Sequence, residues 1–126
     1  RISAVMLVQA GFVLAVAAAV VLWAGWGQGP AVLGASLVIA GALGLVQGAS
    51  FACIPQLNAS GEDRARAAGA VAQLGNLGTT SGTPVLSALI LSWGVGGVAG
   101  FVLAFSLAGL GIHLLQHLRR GQMRST

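Results

Sequence analysis

Charge is what this chain has least of. Only 6% of its 126 residues are charged, against roughly 25% in soluble domains, and just two of them, Glu62 and Asp63, are acidic. So few charges cannot build a water-facing shell around a sequence that is 56% apolar. An ordinary soluble domain is excluded, and lipid is the expected solvent for most of the surface. The six basic residues are all arginines: Arg1, Arg64, Arg66, Arg119, Arg120 and Arg124. They lift the pI to about 11.7, but no basic stripe is interleaved with aromatics, so nucleic acid is not an expected partner.

Cysteine and catalytic motifs are just as sparse. Cys53 stands alone, which excludes an internal disulfide framework or a cysteine metal site and leaves a small apolar packing residue. His113 and His117 are one helical turn apart without a third ligand, so neither a metal nor any other cofactor is expected. Paired carboxylates, G-x-S-x-G, H-E-x-x-H and a P-loop are missing, and the chain is not expected to be an enzyme. No acidic side chain falls inside an apolar segment, and the one basic side chain that does, Arg66, is at the segment's edge, so a proton or sodium relay finds no residue here. The sequence starts with Arg1 and shows no signal-peptide pattern, which leads us to expect a piece of a longer protein.

What the chain does have is apolar sequence in long runs. A hydrocarbon core of about 30 Å takes about 20 residues of helix. Four segments reach that length, at about 2–22, 32–54, 65–91 and 98–118, the second closed by Pro55. Short glycine-rich stretches, "WAGWGQGP" (23–30) and "SWGVGG" (92–97), join them. The run "GFVLAVAAAVVLWAG" does not alternate as a barrel strand would. The expected fold is therefore an all-α membrane protein with four transmembrane helices.

With four crossings every arginine falls on one face, and Trp23, Trp26 and Trp93 fall on the other. Arginines mark the cytoplasmic side and tryptophans suit an interfacial belt. This makes 56–64 a cytoplasmic loop that sets topology through Asp63, Arg64 and Arg66, and 119–126 a cytoplasmic tail. Ser60 can cap the helix that follows, with Glu62 and Asp63 at its positive end.

The third segment carries most of the polar side chains. At about 100° per residue, Gln73, Asn76, Thr80, Thr83 and Ser87 fall in one narrow arc, with Gly75, Gly78 and Gly82 roughly opposite. The second segment adds Ser36, Gln47 and Ser50 beside Gly41, Gly44 and Gly48. Glycine stripes let a second backbone approach. The polar arc either joins helices or lines a watery cavity, in which case Gln73, Asn76, Thr80, Gln47 and Ser50 are its lining. Pro84 removes a hydrogen bond to the Thr80 carbonyl, which makes this helix a candidate hinge. The first and last segments are polar-poor and are expected to face lipid.

The third segment, "GAVAQLGNLGTTSGTP", sets Gly69, eight residues, Gly78, three residues, Gly82 and then Thr83-Pro84 in series. It resembles the glycine-proline helix motif of the major facilitator superfamily, and "EDRARAAG" before it resembles the connection into that family's eleventh helix. The resemblance implies that the chain corresponds to helices nine to twelve of a twelve-helix secondary transporter. Gly69, Gly78, Gly82 and Pro84 would then be packing and hinge residues. It also implies alternating access to a small solute, with the lipid bilayer and the transporter's remaining helices as partners. The setting implied by the Ala/Gly/Arg-rich composition is a bacterial inner membrane. Two other readings stay open: a non-transporting membrane anchor or assembly module, and a small four-helix multidrug transporter, which lacks its membrane glutamate here.

Overall fold

The computed structural model describes residues 3–122, with side chains placed as far as Gln116. Arg1, Ile2 and 123–126 lie outside it, as do the side chains of His117, Arg119 and Arg120, so what was expected of those groups lies outside the described residues.

The described residues form three helices, α1 (Ala4–Ala24), α2 (Gly29–Leu57) and α3 (Gly61–Gln122). All three are long and apolar enough to cross a membrane. The expected count of four is corrected here, because 65–91 and 98–118 belong to one helical element of 62 residues. Within it only Gly94 leaves helical geometry, with φ 57 and ψ −140. A side chain rarely tolerates that conformation, and glycine adopts it freely. One such residue is enough to turn the chain, so "SWGVGG" makes a sharp fold and not a loop. A Cβ on Gly97 would sit 2.6 Å from the Leu89 carbonyl oxygen, whereas eight residues of straight helix span about 12 Å. Unfolded into a line, α3 would be about 93 Å long, roughly three hydrocarbon cores. The turn at Gly94 divides it into two limbs, which meet where Gly97 approaches Leu89.

Local chemistry explains the other helix ends. The Ser3 hydroxyl accepts from the Met6 N–H at 3.2 Å and caps α1. Gly27, with φ 92, carries the turn into α2, and Pro30 sits in the first turn of α2, where a missing N–H is harmless. Pro55 does not close α2. It lies in the last turn, and the helix runs on to Leu57, where both the backbone N–H and the side-chain amide of Asn58 donate to the Ile54 carbonyl at 3.1 and 2.9 Å. The connection between α2 and α3 therefore shrinks from the expected 56–64 to residues 58–60. Ser60 caps α3 by accepting from the Asp63 N–H at 3.0 Å, and it donates to Asp63 Oδ2 at 2.6 Å.

Packing centres on α1. Of its buried residues, Ala4, Val8, Gly11, Ala15, Ala18 and Leu22 advance in alternating steps of four and three, with Ala19 buried beside them. On α2, Ala35, Ala42 and Ala49 recur every seven residues, with Cys53 one turn further. This is the spacing of an antiparallel seam between two helices, built from residues small enough to bring the backbones close. A Cβ on Gly11 would fall 2.6 Å from Val46 Cγ2 and 3.0 Å from the Ala42 carbonyl oxygen. Ala4, Val8, Ala49 and Cys53 form a core cluster, flanked by Val5, Leu7, Phe12 and Val46. On the other side of α1, the Phe12 ring fills the space at Gly109 and lies 6.0 Å from the His113 ring, tilted by 50°.

α1 is the most enclosed helix: 33% of its most apolar stretch is buried within the chain, against 22% for α2 and 11% for α3. Among the described residues no backbone meets the glycine stripes. A Cβ on Gly41, Gly44, Gly48, Gly69, Gly75, Gly78 or Gly82 would touch nothing within 4 Å. Alanines on α1 and α2 take that role.

Candidate functional site

α2 and the first limb of α3 touch only sparingly, and between them lies an open groove of about 510 Å³. Ligand sites commonly enclose about 300–1,000 Å³. From α2 the groove takes Gln47, Ser50 and Phe51; from α3 it takes Val71, Ala72, Gly75, Asn76, Gly78 and Thr79. Both helices present these residues because they lie within a turn or two of one another on one side of each helix.

The expected lining residues divide. Gln47, Ser50 and Asn76 border the groove together, while Gln73 and Thr80 do not. At about 100° per residue the groove face of α3 centres between Gly75 and Thr79, and the Gln73–Thr80–Ser87 arc lies about a third of a turn away, with Asn76 at the shared edge. The glycine side of α3, expected to receive another backbone, opens onto the groove instead. Thr79 is the lining residue that the polar arc conceals. Its signal is the place four residues after Gly75, which puts it on the glycine side of the helix.

The hydroxyls at the groove have fixed roles. Ser50 Oγ donates to the Val46 carbonyl at 2.7 Å, and Thr79 Oγ1 donates to the Gly75 carbonyl at 3.0 Å. Such bonds to the preceding turn hide a hydroxyl proton in the helix's own backbone. The Gln47 and Asn76 amides take no such partner among the described residues. Gly75 and Gly78 keep the wall low between them.

Pro84 lies inside α3 without leaving helical geometry, so the break in this element is at Gly94 and not at the proline. Of the hydroxyls near it, Ser81 Oγ donates to the Leu77 carbonyl at 2.7 Å, back along the helix. Gly69, Gly78 and Gly82 make no close approach.

At the turn between α2 and α3 the charges satisfy one another. Arg66 Nη2 meets Glu62 Oε1 at 2.5 Å, four residues apart on one helix face. With both side chains about three-quarters exposed, the pair is worth roughly 0.3–0.5 kcal/mol. Arg64 reaches back over the turn and donates to the carbonyls of Asn58 and Ala59 at 3.0 and 3.3 Å. Asp63 accepts from Ser60. Trp23, Trp26 and Trp93 are exposed, at the end of α1, in the turn after it and beside Gly94.

No protein-family model, curated protein or solved structure matches this chain.

Proposed function

We propose that the chain is part of the C-terminal bundle of a secondary transporter of the major facilitator type, which moves a small solute across a bacterial inner membrane by alternating access. The observation behind this reading is the groove: two amides and two hydroxyls border about 510 Å³ of open space between helices apolar enough to cross a membrane. At such depth, polar groups are costly unless water, a solute or other protein groups meet them.

On this reading Gln47, Ser50, Asn76 and Thr79 contact the solute. The exposed Gln73–Thr80–Ser87 edge meets the transporter's remaining helices, and lipid covers the rest. The turn at 58–60 and the C-terminal end face the cytoplasm, marked by Arg64 and Arg66, and the three tryptophans sit at the opposite interface. Transport needs no catalytic group, cofactor or nucleic acid from this chain. A non-transporting anchor or assembly module is the second reading, favoured by the same exposed edge, which suits a docking helix equally well.

Flux separates the two. In the intact protein, Gln47→Leu and Asn76→Leu are each expected to lower solute kcat/KM about 3- to 10-fold at matched membrane levels, the loss of one hydrogen bond to the solute. Gln73→Leu should stay within about twofold. Unchanged flux in both groove variants, or an equal loss in all three, refutes the assignment.

A further inference from the structure

The inventory of groups on the groove carries a substrate class, and it rests on the transport reading above. Both hydroxyl protons are committed to the backbone, Ser50 to Val46 and Thr79 to Gly75. Toward the groove these two oxygens are therefore acceptors only. The Gln47 and Asn76 amides add a carbonyl oxygen and an NH₂ each, so they both accept and donate. The Phe51 ring and Val71 supply an apolar surface beside them.

Charge is missing from this wall. Glu62 and Arg66 lie before the groove, on the side of α3 away from it, and neutralise each other. Arg64 lies nearer the groove side of the helix, but its guanidinium is held on the Asn58 and Ala59 carbonyls. An ion brought into the groove would leave its water without meeting an opposite charge, and dipoles of neutral amides replace that hydration poorly. A neutral solute with hydroxyl or amide groups on one side and an apolar face on the other loses little. We propose that this groove selects uncharged, hydrogen-bonding solutes with an apolar face and discriminates against both cations and anions.

Gly75 and Gly78 offer a direct test, because each lines the groove and a Cβ on either meets nothing within 4 Å. Cysteine at these positions adds a thiol to the wall while keeping all four polar residues. Gly75→Cys and Gly78→Cys are introduced separately into the intact membrane protein, with the parent, which retains buried Cys53, labelled in parallel as the blank. The probes are hydroxyethyl, sulfonatoethyl and trimethylammonioethyl methanethiosulfonate, each rate normalised to the same reagent's rate with β-mercaptoethanol. The neutral reagent is expected to react at least about tenfold faster than either charged one at both positions. Comparable rates for all three, or preference for one sign of charge, overturn the substrate class and leave the water-filled groove standing. Silence toward all three at both positions overturns the groove as a solute path, and the transport reading with it.

Discussion

Replacing Gly11 by alanine drives a methyl group into α2. The added carbon would lie 2.6 Å from Val46 Cγ2 and 3.0 Å from the Ala42 carbonyl oxygen, where carbon contacts normally settle at about 3.5–4.0 Å. Val46 can turn aside at about 0.5–1.5 kcal/mol for an off-rotamer side chain. The Ala42 carbonyl belongs to the helix backbone, so relieving it means parting α1 from α2. Overpacking of this kind costs about 1–3 kcal/mol. Gly44→Ala is the matched control, since it lies in α2, the other helix of the seam, and its Cβ would meet nothing within 4 Å. The intrinsic gain of alanine over glycine in a helix, up to about 1 kcal/mol, is common to both and cancels in the comparison. Gly11→Ala should therefore be less stable than Gly44→Ala by about 1–3 kcal/mol, a 5- to 150-fold difference in the folded-to-unfolded ratio. The measurement is unfolding of the chain in bicelles by graded denaturing detergent, followed by tryptophan fluorescence from Trp23 and Trp26. If Gly44→Ala proves the more damaging, α2 packs through its glycines and the alanine seam is wrong.

Two further outcomes probe the turns. Gly94→Ala is expected to destabilise α3 by about 1–3 kcal/mol through backbone strain alone, because φ is 57 while the added Cβ would touch nothing. Gly96→Ala, also in open space but without a positive φ, should change thermal stability little, and equal effects would remove the strain argument. Arg64→Ala should raise amide hydrogen exchange at residues 58–61 about two- to fivefold, the loss of exposed hydrogen bonds to the Asn58 and Ala59 carbonyls. Arg66→Ala, which breaks only a surface ion pair, should leave that exchange unaltered.

Much of what depends on neighbours along the chain was legible without a structure. Scarce charge and long apolar runs imply helices in lipid, because an unpaired backbone group in hydrocarbon costs too much for any open alternative. The Ser60 cap followed from a hydroxyl three residues ahead of a carboxylate, and the hydrogen bonds to Asp63 have that local geometry. Gln47, Ser50 and Asn76 could be picked out as unusual polar groups on apolar helices, and the structure brings these three to one groove.

Tertiary structure alone decided which faces meet. In water, apolar faces turn inward and announce the core; in lipid that contrast is gone, and helices pack wherever small residues let them fit. Alanine stripes on α1 and α2 and glycine stripes on α2 and α3 are equally smooth in sequence, yet the alanines pack and the glycines stand open. That choice makes α1 the centre, turns Gly75, Gly78 and Thr79 toward the groove, and leaves Gln73 and Thr80 outside it. The helix count was settled by a single torsion, since one glycine with φ 57 folds α3 where six loop-like residues were expected to separate two helices.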